Sequence, residues 1–210
     1  LNGDHRPLHM GRYPMEKIKR VDEATTLIIP EEVPRVPVRA GGFPRAAHGD
    51  MGPKFQKDVK VFAFKTPQAQ SYVKQIRGMV PYQNGDVAPS PDPSTLDAAR
   101  NTDALKALTH HLGGDMVGVC KIPEYAWYSH RGNGDVIEPY HQNAVVILLD
   151  QGYETMEGAS GDDWVSGAQS MRAYMRGAQI AGIMAAHVRS LGYGARSQTN
   201  SDSDVLHIPL

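Results

Sequence analysis

With 210 residues, 40% of them hydrophobic and 21% charged, the chain can bury one sizeable core, enough for one domain or one and a half. Its formal charge is -1 and its 22 Lys and Arg are scattered, so it carries no basic footprint for nucleic acid or an anionic membrane. The longest apolar run, Ala144 to Leu149, is far short of the roughly 20 residues that cross a bilayer, and no charged-then-apolar leader opens the chain; the expected location is cytoplasmic.

Residues 1–58 read as an extended arm. The stretch "EEVPRVPVRAGGFPRAAHGDMGPK" is dense in Pro, Gly and Arg, and each proline removes a donor and restricts its predecessor, so little regular structure is expected beyond a short strand "TTLII" (Thr25 to Ile29). Residues 59–210 read as the globular part. A strand "VKVFAF" (Val59 to Phe64) leads to a helix from Gln68 to Arg77, with Tyr72, Val73 and Ile76 on one face. The segment "PYQNGDVAPSPDPS" then makes a long surface loop. A helix comes next, from Leu96 to Leu112, with Leu105, Leu108 and Leu112 three and four apart and "GG" as its stop, and it runs into the strand "DMVGVC". Within that strand Cys120 reads as a small apolar residue; as the single cysteine it excludes an internal disulfide and cannot alone hold an iron–sulfur cluster, which takes about four thiolates. After a long loop comes a buried-looking strand, "NAVVILLD", then a helix from Asp163 to Leu191 ended by Gly192, and "VLHIPL" (Val205 to Leu210) begins another strand. The order predicts an α+β fold, one layered domain with helices packed on a mixed sheet. The chain opens without a methionine and stops inside its last expected strand, so a portion of a longer protein is expected.

At about 100° per residue, the last helix places Ser170, Met171, Tyr174, Ala178, Ala181, Ala185 and Val188 within one stripe, with Arg172, Arg176, Gln179 and Ser190 opposite. Tyr174 thus faces inward on a surface of small side chains, which a sheet, a helix or a flat ligand can approach closely. Helical position alone reads it as a core tyrosine whose hydroxyl finds a backbone acceptor. Composition alone reads Asn200, in "SQTNSDSD", as a turn former.

Other constellations are weak. The nine histidines form no ligand cluster beyond the isolated His5–His9 pair, there is no G-x-S-x-G elbow, and "RGNGD" does not sit between a strand and a helix as a phosphate cradle requires.

As a set, however, "GGDMVGVCKIPEYAWYSH", "HQNAVVILLDQGYE", "AYMRGAQIAGIMAAHVRSLGYGARSQTN" and the closing "HIPL" resemble the cobalamin-dependent reductive dehalogenases of the soluble, catabolic kind. The segments "YPMEKIKRVDEATTLI" and "RVPVRAGGFPRAAHGDMGPK" extend the resemblance over nearly the whole chain. The resemblance implies a nitroreductase-like fold shared with cobalamin-processing proteins, with two iron–sulfur clusters in a module beyond Leu210. It implies Tyr174 as proton donor, with Asn200 beside it in the halide pocket and an assisting basic residue from outside these residues. The loop reads "SQTN" where many relatives place a glycine before the asparagine. Phe43 and Ser170 are candidates for the pocket wall. The loop Ser197 to Asp204 and the residues after it would face the corrin or its nucleotide tail, through Gln198, Ser201, Ser203 and His207. The implied partners are a haloaromatic, including halophenolic, substrate and an electron donor such as a ferredoxin or flavin reductase. A phenol of ordinary pKa, about 10, is protonated at neutral pH and can protonate a carbanion-like carbon. Two competing readings are a cobalamin-binding or scaffold module without chemistry, and a flavin nitroreductase-like protein.

Overall fold

A computed structural model describes Lys19, Val21 and residues 26–210, without the side chains of Phe62 and Ala63. Histidines 5 and 9, Thr25 and most of the arm's first half lie outside the described residues. Seven α-helices and two strands make up the regular structure of the described part, together with short 3-10 turns.

The expected arm is more regular than its prolines suggest. Pro30–Glu32 and Val38–Ala40 are 3-10 turns, and α1 (Gly42–His48) and α2 (Pro53–Asp58) are helical. Pro53 occupies the first turn of α2, where its missing N–H breaks no helical bond. No strand forms over Thr26–Ile29, and Leu27 is 86% exposed. The expected strand at Val59–Phe64 is also helical: α3 spans Val61–Phe64 and leads into α4 (Pro67–Gly78). The short apolar run has no unique period. Thr66 starts the helix beyond it, since its hydroxyl caps the Ala69 amide with Pro67 at the first helical position.

The long helix α7 (Val165–Ser190) forms the principal core with α4. Ala69, Val73 and Ile76 of α4 are buried against Met171 and Ala178 of α7, with Tyr72, Met79 and Met175 at the margin. The helix α5 (Ala98–His111) is capped by Asp97, which accepts from the Ala99 and Arg100 amides, and it ends at Gly113 with φ 89°. Strands β1 (Met116–Lys121) and β2 (Asn143–Leu148) pair antiparallel, Met116 opposite Leu148 and Lys121 opposite Asn143. This two-stranded sheet replaces the mixed sheet expected from sequence, and its strands are half-buried rather than buried. Cys120 lies half-buried in β1, and burial pushes its thiol pKa up. A short helix α6 (Tyr153–Glu157) precedes α7.

The expected terminal strand does not form. Val205 makes one antiparallel bridge to Trp127, after which the chain turns and Ile208 is fully exposed. Trp127, Ile137 and Val205 make a second buried cluster, with Ile122, Tyr128 and Leu210 around it. No helix among the described residues is long and apolar enough to cross a membrane.

Candidate functional site

Two packing faces of α7 frame Tyr174. On one side Met171, Met175 and Ala178 meet α4. On the other, Gly177 approaches Leu149, the Met184 sulfur accepts the Thr109 hydroxyl at 3.6 Å, and Arg176 donates to the Gly113 carbonyl at 2.7 Å. Tyr174 falls by angle between these faces, beside buried Ser170 and Ala178, yet it is 42% exposed. The expectation that it points into a core is therefore corrected: its Cα lies on the inward face, but its side chain is exposed. Its hydroxyl makes no hydrogen bond among the described residues. The small neighbours that let helices approach elsewhere on α7 leave a bare ledge here.

The loop after α7 is fastened from both ends. Gly192, with φ 87°, turns the chain; a Cβ there would lie 2.6 Å from the Ser90 carbonyl carbon and 2.7 Å from the Pro91 Cα. Arg189, 6% exposed, donates through Nη1 to the carbonyls of Gln83 (3.2 Å) and Ala195 (2.9 Å). The Ser197 amide donates to the Gln83 carbonyl, and Gln83 Nε2 donates to the Asp202 carbonyl (2.9 Å) and to Thr199 Oγ1 (3.2 Å). Gln83 Oε1 and Ser197 Oγ are buried without a hydrogen-bond partner among the described residues.

Asp204 anchors the far end and is fully buried. Its Oδ1 accepts from Arg131 Nε at 3.0 Å, and its Oδ2 accepts from Arg131 Nη2 at 2.9 Å and from the Tyr140 hydroxyl at 2.8 Å. Arg196 Nη1 lies 3.0 Å from Oδ2, while its Nη2 holds Asp202 at 2.7 Å. A buried carboxylate is tolerable only with this degree of pairing. The carboxylate raises the Arg131 pKa, chiefly through the hydrogen bonds. Burial, then the bond to Asp204, raises the Tyr140 pKa against the opposing effects of Gln198 and Arg196. His141, edge-on to Tyr140 with ring centroids 4.8 Å apart, has its pKa lowered by burial and by Arg196, which favours the neutral ring.

The residues singled out from sequence are distributed around this loop. Asn200 and Ser201 are exposed at its tip, and no hydrogen bond joins Asn200 to Tyr174 among the described residues. Gln198 is internally engaged: its Oε1 accepts from the Asp204 amide and Arg196, and its Nε2 donates to the Tyr140 oxygen. Ser203 Oγ donates to the Val205 carbonyl and lies 2.9 Å from His207 Nε2. Phe43 sits on α1, which packs on α2, and is 59% exposed.

Sequence reading missed Asp204, Arg196, Arg131, Tyr140 and Gln83. In "SDSD" an Asp in a polar run reads as a turn, and nothing local marks it as a buried hub. Arg189 did leave a signal: it falls about 60° from Tyr174 by helical angle, a cation on the otherwise small and apolar stripe.

The chain is a relative of the reductive dehalogenases, and the resemblance seen in its motifs extends to the fold. Solved structures it matches include those of the catabolic reductive dehalogenase NpRdhA. One is 52% identical with a TM-score of 0.85, and another, in complex with 3-bromo-4-hydroxybenzoic acid, is 51% identical with a TM-score of 0.83; the match covers 99% of this chain in both. A further structure, described as suggesting a mechanism for B12-dependent dehalogenation, is 52% identical over 99% of the chain with a TM-score of 0.85. The chain spans about 30% of the length of these relatives. No protein-family model and no curated protein matches it. A nitroreductase-like layering does not follow from the two-stranded sheet.

Proposed function

We propose that this chain is the part of a cobalamin-dependent reductive dehalogenase that presents the proton donor and the cofactor-facing loop, acting on a haloaromatic or halophenolic substrate. The observation that carries the reading is Tyr174: an exposed phenol without a hydrogen-bond partner among the described residues, in a chain 52% identical to a B12-dependent dehalogenase. The division into an arm (1–58) and a cobalamin-facing part (59–210) belongs to the same proposal.

The residues present fit a corrin. The Tyr174 ledge is flanked by Ser170, Ala178 and Ala181, side chains short enough for a flat macrocycle and an aromatic ring to approach, and the loop beyond Gly192 is held rigidly beside unsatisfied Ser197. Bound cobalamin would supply, at its cobalt, the two electrons that cleave the carbon–halogen bond. Halide leaves, and the Tyr174 hydroxyl gives the proton that takes its place on carbon; a basic residue from outside this chain stabilises the phenolate and restores the proton. Asn200 orients the phenol or a phenolic substrate oxygen, and Ser170 and Phe43 bound the pocket. Gln198, Ser201, Ser203 and His207 face the cofactor. Two iron–sulfur clusters outside these residues, with a ferredoxin or a flavin reductase as donor, would supply the electrons.

The test is anaerobic reconstitution of the complete protein with cobalamin and turnover of a bromohydroxybenzoate. Tyr174→Phe should lower kcat by about 10²- to 10⁴-fold, the range of a lost general acid, with cobalamin still bound by its absorption spectrum. Wild-type turnover in the variant rejects the role.

A further inference from the structure

Below the loop, Asn84, Gly85, Arg131, Tyr140, Arg189 and Arg196 line a cleft of about 350 Å³, with Asp204 and His141 also on its wall. Its charges do not balance. Asp204 is matched by Arg131 and Arg196, and Asp202 by Arg196 again. Arg189, 94% buried by its 6% exposure, has no carboxylate within ion-pair distance among the described residues. Its Nη1 is used on two backbone carbonyls, while Nε and Nη2 make no hydrogen bond among the described residues; Arg189 and Gly85 both line the cleft. Those two nitrogens lie 3.1 and 3.2 Å from where a Cβ of residue 85 would sit, so glycine leaves this side of the fork unfilled. A buried guanidinium without a counter-ion is costly to hold, and two free N–H groups in a planar fork match the oxygens of an oxyanion.

We infer that the Arg189 cleft is an oxyanion subsite of phosphate type, with Arg189 Nε and Nη2 as the bidentate donor pair and Gly85 as the opening that admits the anion. This rests in part on the proposed function, because the cleft adjoins the loop assigned to the cofactor and the nucleotide tail of cobalamin carries a phosphodiester. Free phosphate offers the same oxygens. The pairing of Asp204 with two arginines keeps its negative charge from dominating the cleft wall.

The experiment uses the complete protein and three probes: hydroxocobalamin, cobinamide, which lacks the nucleotide tail, and inorganic phosphate. Binding of the corrinoids is read from their absorption spectra and binding of phosphate by calorimetry. The wild type should bind cobalamin more tightly than cobinamide. Arg189→Met should weaken cobalamin about ten- to a hundredfold more than it weakens cobinamide, the worth of a charge-assisted hydrogen-bond pair beyond any loosening of the loop that Arg189 also fastens. Gly85→Val, which fills the opening without touching the two carbonyl bonds of Arg189, should do the same and serves if Arg189→Met fails to fold. If the source is free phosphate, both variants abolish phosphate binding and lower the two corrinoids equally or not at all. Phosphate and cobalamin binding unchanged in a folded variant would overturn the subsite. A wild type that binds phosphate through Arg189 but no corrinoid would keep the subsite and reject the cobalamin reading.

Discussion

Removal of the Asp204 carboxylate gives the sharpest test of how the loop is held. In Asp204→Ala two guanidiniums and a phenol lose their common acceptor. Removing one partner of a buried ion pair typically costs about 3–5 kcal/mol. The lower end applies, because the Arg131 side chain is 48% exposed and regains water, and Arg196 keeps Asp202 at 2.7 Å. The expected loss is about 3 kcal/mol. Asp204→Asn keeps the shape and, with its amide oxygen turned toward Tyr140 and Arg196, most of the contacts; it should cost less, about 2 kcal/mol, roughly one charge-assisted hydrogen bond. Urea unfolding measures the totals. Amide exchange localises them: the Tyr128 amide, bonded to the Asp204 carbonyl, and the Leu206 amide, bonded to that of Ala126, should exchange about a hundredfold faster in the alanine variant, the equivalent of 3 kcal/mol. An alanine variant within about 0.5 kcal/mol of wild type, the range of an ordinary surface change, would refute the idea that this carboxylate organises the loop.

Three further outcomes are expected of the same structure. Tyr140 has its folded pKa raised by burial and Asp204, so its stabilising contribution is complete below the unfolded phenol value of about 10 and is lost as the pH rises from there through the folded value; the gap in urea midpoint between wild type and Tyr140→Phe should narrow between pH 8 and pH 11. Gly192→Ala meets both a left-handed φ and the backbone of Ser90 and Pro91, and should lower stability by about 2–4 kcal/mol in thermal unfolding. Asp97→Ala removes the acceptor for two amides at the start of α5 and should cost about 1 kcal/mol by the same measurement.

What the sequence made legible was periodicity over long elements. Val73 and Ile76 on α4, the glycine stop of α5 and the extent of α7 were all readable, because 12 to 26 residues of one period leave little choice of structure. Short apolar runs were not. "VKVFAF" fits a strand and a helix about equally, and the capping of α4 by Thr66 beside Pro67 favours a helical approach, with Phe64 ending 5.4 Å from the Arg77 guanidinium. "VLHIPL" failed as a strand because Ser203 takes up both the amide and the carbonyl of Val205, and Pro209 has no amide to offer. The polar hub was hidden for a different reason: Arg131, Tyr140, Arg196 and Asp204 are 73 residues apart at the extremes, and only the folded chain brings their charges together. For Tyr174 the phase of the helix was right and its burial was wrong, since angle fixes the direction of a Cα–Cβ bond and says nothing of what covers the ring.

That distinction bears on whether Tyr174 and Asn200 act as a pair. Both are exposed and no hydrogen bond joins them among the described residues, so under the proposed function their cooperation requires bound cofactor and substrate. A double-mutant cycle on the reconstituted complete protein tests this. Tyr174→Phe removes the proton and Asn200→Ala removes the group that orients it; once the proton is gone, orienting it has little left to contribute. The double variant should therefore be only slightly slower than Tyr174→Phe alone, with a coupling energy in kcat/KM above about 0.5 kcal/mol. Strict additivity would mean that the two residues serve separate ends, Asn200 as a loop former and Tyr174 alone in the chemistry. Asp204→Asn supplies the control within the same cycle. If it acts by displacing the loop tip, its effect on kcat/KM should vanish in the Asn200→Ala background while its cost in stability persists.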